Sequence, residues 1–172
     1  MVVTSQWQII ERRRIAYEPQ PSRFIYHQAA EFAPAAAEVL IARARAEAVE
    51  KAREEIERLI SAVQEKGQTV AAAGVPSGNA KLPKSLAAIL GAHSRIHAAE
   101  GAFYRDVLAD ACKRIGLSVK RTPERDLWAV ASKVAGCGEA KLRQRFVTLG
   151  KELGPPWGED QKLAALAAFA PV

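Results

Sequence analysis

The chain has 172 residues, of which 49% are hydrophobic and 26% are charged. This length suits one domain and this composition excludes wholesale disorder, so we expect a single folded domain over residues 1–172. The formal net charge of +6 permits an anionic small molecule or a nucleic acid as partner. Lys and Arg are interspersed with acidic residues, and Arg12–Arg14 is the only sharp basic cluster, so this charge is more typical of solubility than of recognition.

The first third of the chain is expected to form strands followed by a long helix. Residues 2–10 and 14–17 carry β-branched and aromatic residues in partial alternation, and residues 24–26 predict a short extended piece. Pro34 suits the first turn of a helix and Gly67 suits the position after its end. These signals predict an amphipathic helix over Pro34–Lys66.

The rest of the chain alternates short strands with helices. Residues 69–73 predict a buried strand, and residues 117–120 predict another. Between them, one long helix is expected to begin at Pro83 and reach Ile115, with a kink or a close backbone approach at Gly91 and Gly101. Three further helices are expected, from about residue 122 to 135, from 139 to 151, and after Asp160.

This element order predicts an α/β fold with a mixed sheet, long amphipathic helices and a helical C-terminal part. The helix–strand–helix–strand order favours partly parallel pairing. The arrangement resembles the three-layer, ribonuclease H-like architecture. Nucleases of that architecture usually carry a metal-binding Asp on their first strand, and residues 2–17 contain no Asp. This difference argues against a two-metal nuclease mechanism.

Two histidines and a carboxylate share one face of the second long helix. At about 100° per residue, His97 lies roughly 40° and Glu100 roughly 20° from His93, and Tyr104 falls in the same arc. Leucines on that arc predict that it faces the core. Burying these groups without partners costs several kcal/mol, so a metal, a ligand, a pocket or an internal network is expected to satisfy them.

The trio His93, His97 and Glu100 is a candidate ligand set for a divalent transition metal. Residues at i, i+4 and i+7 converge on adjacent turns, and imidazole with carboxylate suits Zn²⁺, Mn²⁺, Fe²⁺ or Ni²⁺. The spacing differs from His-Glu-x-x-His, which excludes that metalloprotease motif. His27, Asp160 or water is the expected fourth ligand. In a metal-free site, one histidine would be a general base oriented by Glu100. In a structural network, Glu100 would only satisfy the histidines.

A second unusual segment is Gly154-Pro155-Pro156-Trp157-Gly158-Glu159-Asp160-Gln161-Lys162. The prolines favour an extended path, Trp157 is a large anchor, and Asp160 suits the start of a helix. The plain interpretation is a rigid helix entry with the indole docked on the core. In the functional interpretation, Asp160 or Lys162 reaches the histidine helix.

These two motifs, His-x3-His-x2-Glu-Gly-x3-Arg from His93 to Arg105 and Gly-Pro-Pro-Trp-x2-Asp-Gln-Lys, resemble a family of uncharacterised small bacterial proteins. The resemblance covers residues 86–169. It implies no particular activity, but it favours treating the two motifs as one functional unit.

The leading hypothesis is a protein with one polar ligand or metal site, acting as a hydrolase on an anionic or nucleotide-like substrate. His93, His97 and Glu100 are the expected catalytic and metal residues, and ligand binding is assigned to Tyr104, Arg105, Asp160 and Lys162. The alternative is a non-catalytic interaction or nucleic-acid-binding domain in which the trio is structural. A functional site predicts that Glu100→Ala leaves stability unchanged or raised; a network predicts a loss.

The expected setting follows from what the sequence lacks. Cys112 and Cys137 form no Cys-x-x-Cys motif, and residues 1–14 have no charged segment followed by an apolar run. The longest apolar stretch, residues 163–172, is too short to span a bilayer. We therefore expect a cytoplasmic protein with no membrane association. The sequence is compatible with a homo-oligomer.

Overall fold

The fold is mixed α/β and mainly helical. The computed structural model describes residues 1–16 and 24–170. In chain order, the elements are β1 (Val2–Val3), β2 (Ile9–Glu11), α1 (Ile25–Ala29), α2 (Pro34–Gln64), β3 (Ala72–Ser77), α3 (Leu86–Leu90), α4 (His93–Arg114), β4 (Ser118–Pro123), α5 (Leu127–Val134), α6 (Glu139–Leu153) and α7 (Glu159–Phe169). A single 3₁₀ turn, Glu124–Asp126, leads from β4 into α5.

The strands β3 and β4 form a parallel pair connected through α4. Their register runs from Ala72 opposite Ser118 to Ser77 opposite Pro123. Helix α4 packs against both strands, and α7 packs against β3. The approach of α7 needs glycine at Gly74, because a Cβ there would lie 1.7 Å from the carbonyl oxygen of Ala167. The parallel pair is thereby held between two helices.

Two clusters of buried side chains form the core. The first unites α1, α2 and α4 through Ile25, Ala44, Ala48, Val49, Ala52, Phe103, Val107 and Ala111. The second unites α5, α6 and α7 through Leu127, Ala131, Leu142, Phe146, Ala165, Leu166, Ala167 and Phe169. Alanines on facing helices allow the close approach that the composition favours.

The long helices agree with the sequence prediction, whereas several boundaries differ. Helix α2 spans Pro34–Gln64, within two residues of the predicted end. The second predicted helix is divided into α3 and α4 at Gly91, where a kink was expected. Strand β3 begins three residues later than predicted, and β4 extends to Pro123.

One prediction about extended segments is wrong, and another is confirmed only in part. Residues 24–26 do not extend a strand; helix α1 occupies Ile25–Ala29, because Ile25 and Ala29 are fully buried against the first core cluster. Within residues 2–10, only the ends are strands, and 14–16 have no strand structure. Tyr17, the end of that predicted strand, lies outside the described residues.

The expected mixed sheet is replaced, in the described ranges, by two separate pairs. Strands β1 and β2 pair antiparallel, and β3 and β4 pair parallel. The partly parallel pairing and the helical C-terminal part are confirmed. None of the helices described is long and apolar enough to cross a membrane.

Arg12 connects the N-terminal hairpin to the Gly-Pro-Pro-Trp segment. Its guanidinium donates to the carbonyl oxygens of Leu153 at 2.8 Å, Gly154 at 3.2 Å, and Pro155 and Pro156 at 3.3 Å. Leu153 is the last residue of α6 and the other three follow it, so their carbonyl groups have no partner within the helix and need donors. One member of the predicted basic cluster is therefore engaged inside the protein.

Trp157 docks on α6, as the plain interpretation of this segment predicts. Its indole N–H donates to the carbonyl oxygen of Phe146 at 3.0 Å. A Cβ at Gly150 would lie 2.1 Å from the indole ring, so glycine at this position of α6 is needed to accommodate the ring. The segment is thus a rigid entry into α7.

Replacing Arg12 is expected to weaken the fold. We expect Arg12→Ala to lower the free energy of unfolding by about 1–3 kcal/mol, because hydrogen bonds from a charged donor are lost and carbonyl groups lose partners. The exposed Arg14→Ala is the control and should change it by less than about 0.5 kcal/mol. Urea titration measures both. Equal values for the two variants would contradict a structural role for Arg12.

Candidate metal centre

Three histidine side chains converge at one end of α4. His93 and His97 lie on its first two turns, and His27 comes from α1. One ring nitrogen from each histidine lies within 4.8 Å of the other two. His93 Nε2 and His97 Nε2 are 2.9 Å apart. These are all three histidines of the chain.

The spacing is compatible with a shared ion. Zinc–nitrogen bonds of about 2.0–2.1 Å in a tetrahedron place the nitrogens about 3.3 Å apart. The 2.9 Å between His93 and His97 and the 4.8 Å limit for the whole set are close to this spacing. His93 and His97 are exposed, whereas His27 is partly buried, so one side of the cluster faces solvent.

Glu100 holds His27 in place. Its Oε1 accepts the backbone N–H groups of Tyr26 at 2.7 Å and His27 at 3.1 Å, and it lies 3.3 Å from His27 Nδ1. We assign the ring proton of His27 to Nδ1, since that nitrogen faces the carboxylate. Nε2 is then the nitrogen left for a ligand bond, the arrangement in which a carboxylate orients a metal-binding histidine.

Among the described residues, the second carboxylate oxygen of Glu100 is the one buried side-chain nitrogen or oxygen atom without a hydrogen-bond partner. Glu100 itself is 7% exposed. A buried charge that lacks compensation is costly, and such an atom in a folded protein often belongs to a functional site. This oxygen is a second reason to treat Glu100 and the histidine cluster as a candidate functional site.

Two aromatic residues, Phe24 and Tyr26, lie close to His27 in the chain. The ring of Phe24, which is half exposed, meets the edge of His27 at 5.8 Å between centroids. Burial raises the pKa of the Tyr26 phenol above its ordinary value; Arg45 opposes this rise, and the charges of Glu100 and Asp106 add to it. The phenol is therefore neutral at ordinary pH and is not a base for this site.

The structure changes the predicted metal set. The convergent atoms are those of His27, His93 and His97, whereas Glu100 contacts His27 and the first turn of α1. His27 was expected only as a fourth ligand. The sequence did not predict the position of His27 because this position depends on α1. The first backbone N–H groups of α1 donate to a carboxylate that is distant in the sequence.

Tyr104 and Arg105, which were predicted to bind a ligand, contact residues of the core and of the turn after β4. Tyr104 packs on the first core cluster, with its ring 5.1 Å from that of Phe103. Arg105 forms an ion pair with Glu124, and its guanidinium lies over Gly101. Neither contact involves a histidine.

Asp160 and Lys162 lie in the first turn of α7. Asp160 is exposed, and Lys162 Nζ is 3.8 Å from Glu159 Oε2. Within residues 1–16 and 24–170, no hydrogen bond or ion pair joins either residue to α4. The structure therefore gives no contact that makes the two sequence motifs one site.

The chain matches no protein-family model, no curated protein and no solved structure.

The contacts of Glu100 reverse the prediction that its removal leaves the stability of the protein unchanged or raised. We expect Glu100→Ala to lower the free energy of unfolding by about 1–3 kcal/mol, because two backbone N–H groups and a ring nitrogen lose their acceptor. Glu100→Gln retains one acceptor oxygen and should cost less. Urea titration in the presence of a chelator measures both. A Glu100→Ala variant as stable as the unmodified protein would contradict this structural role.

Proposed function

We propose that this protein binds a divalent transition metal ion through His27, His93 and His97. The observation that carries the proposal is the convergence of three ring nitrogens within 4.8 Å. Imidazole nitrogens are common ligands of zinc in proteins, and Mn²⁺, Fe²⁺ and Ni²⁺ are further candidates. The proposal does not depend on the predicted ribonuclease H-like arrangement, because all three ligands come from helices.

The charge balance of the cluster supports a cation. Three neutral imidazoles leave the charge of a divalent ion unreduced, and the buried Glu100 carboxylate supplies one negative charge behind His27. The carboxylate and the ion would lie on opposite sides of the His27 ring, and their opposite charges would attract across it. Electrostatic attraction of this kind is strong in a partly buried site.

The cluster supplies three protein ligands, which is the number found in catalytic zinc sites. Such sites keep one position for water or substrate, whereas structural zinc sites use four protein ligands. A bound ion would supply Lewis acidity and a water molecule that loses its proton near neutral pH. We therefore propose hydrolysis as the reaction class. The exposed sides of His93 and His97 give a substrate access to this position.

The expected substrate is anionic, a phosphate ester being the chemical class that fits. A divalent ion on neutral ligands keeps net positive charge after the single charge of Glu100 is counted. A phosphoryl oxygen is a good ligand for such a centre and its charge is neutralised there. Nucleotide-like substrates belong to this class.

Metal binding tests the first step. We expect protein purified without chelator to hold about one zinc ion, and added Zn²⁺ at a hundred times its Kd to stabilise the metal-free protein by about 2.7 kcal/mol. His93→Ala and His97→Ala should lose the ion, and Glu100→Gln should bind it about 10–100-fold more weakly. Metal analysis and isothermal titration calorimetry measure these effects.

The matched control is Ser94→Ala, an exposed neighbour on the same turn, which should bind zinc like the unmodified protein. Absence of metal, together with no thermal stabilisation by Zn²⁺ or Mn²⁺, would leave the histidines and Glu100 as a structural network. That alternative has support in the contacts of Glu100 with α1.

Hydrolysis tests the second step. We expect the zinc- or manganese-loaded protein to cleave bis(4-nitrophenyl) phosphate, and His97→Ala to lower the rate at least about 100-fold, since a metal supplies several kcal/mol of charge stabilisation. 4-Nitrophenyl acetate serves as the uncharged comparison. Stoichiometric metal with no hydrolysis of either ester would reject the enzyme and keep the metal site.

A further inference from the structure

An apolar cavity lies between α2, β3, α4 and α7, with a volume of about 210 Å³. One wall is formed by Ile56, Leu59 and Ile60 of α2, and another by Leu108 and Cys112 of α4. Burial raises the pKa of the Cys112 thiol, so this wall carries no charge at neutral pH. None of these residues belongs to the histidine cluster.

Several of the remaining lining residues are small. Ala72, Ala73 and Gly74 of β3 face it together with Ala164 and Ala168 of α7. A larger side chain at Ala164 or Ala168 would enter this space. Apolar walls that stay in contact with water forgo the stabilisation that burial would bring.

The charges that line the cavity are balanced. Arg13 and Glu55 carry the charged side chains of the described lining, and burial lowers the pKa of the Met1 α-amino group, which favours its uncharged form. Arg13 Nε lies 3.9 Å from Glu11 Oε1, and Glu55 forms an ion pair with Arg58. Each charge therefore has an opposite neighbour, so an ionic headgroup gains little there, and a neutral ligand is favoured.

We propose that this cavity binds a small uncharged apolar molecule of about the size of one or two fused aromatic rings. The size follows from the volume, since an engineered cavity of about 150 Å³ lined by Leu, Ile and Phe takes benzene. Binding removes apolar surface from water and fills a space that lacks contacts. This site is independent of the proposed metal centre and of its reaction.

Toluene and indole are suitable probes, with benzoate as the charged comparison. We expect toluene and indole to raise the thermal unfolding midpoint in proportion to the logarithm of their concentration. Benzoate should bind at least about tenfold more weakly, because its carboxylate must leave water. No rise with either neutral probe, or equal binding of benzoate, would overturn the proposal.

Cysteine alkylation locates the bound molecule. With toluene at ten times its Kd, iodoacetamide should modify Cys112 about tenfold more slowly by mass action. Cys137, which lies outside the cavity lining, is the internal control and should react at an unchanged rate. A Cys112 rate unaffected by toluene would place the molecule elsewhere and contradict the assignment.

A cavity-filling variant tests the walls. Ala164→Leu should weaken toluene binding at least tenfold, whereas the exposed Ala36→Leu should leave it unchanged. If Ala164→Leu does not fold, neutral ligands of increasing size, tested on the unmodified protein, replace this variant as the test. Bisphenol A, a neutral two-ring molecule too large for this volume, should then fail to bind, and binding as tight as that of indole would overturn the proposal.

Discussion

The carboxylate of Glu100 is the constraint on which the candidate site depends. A buried ionised carboxylate costs several kcal/mol unless it is hydrogen-bonded. Glu100 Oε1 meets this requirement with two backbone N–H groups at the start of α1 and the ring of His27. These same contacts fix α1 against α4. The position of His27 beside His93 and His97 therefore follows from the need to solvate one buried charge.

The scaffold that carries this site is built around α4. The helix packs on the parallel pair β3–β4 through its middle, and on α1 and α2 through the first core cluster. Its first turns, which bear His93 and His97, belong to a helix of 22 residues. Side chains on rigid elements hold their geometry more closely than side chains on loops. Two of the three candidate ligands are thus set by one helix, and only His27 needs tertiary contacts.

This division explains what the sequence could predict. The i, i+4 spacing of His93 and His97 and the long helix α2 depend on local patterns, and both are found as predicted. Helix α1 has five residues and depends on Glu100, 73 positions beyond His27. Local patterns carry no information about such a contact, because aromatic and β-branched residues favour strands when nothing else acts. For the same reason, the sequence did not predict that Arg12 binds four carbonyl oxygens.

The helix dipole sets the remaining electrostatic balance of the proposed centre. His93 is the first residue of α4, so a cation bound there faces the positive end of the helix, at a cost of about 0.3–1 kcal/mol and at most about 2. Structural zinc sites bind their ion with about 10–16 kcal/mol. Ligand chemistry therefore outweighs the dipole. The positive end of the helix dipole adds to the positive charge that the ion retains. Both favour an anion as the fourth ligand of the ion. This preference supports a phosphate ester over an uncharged substrate.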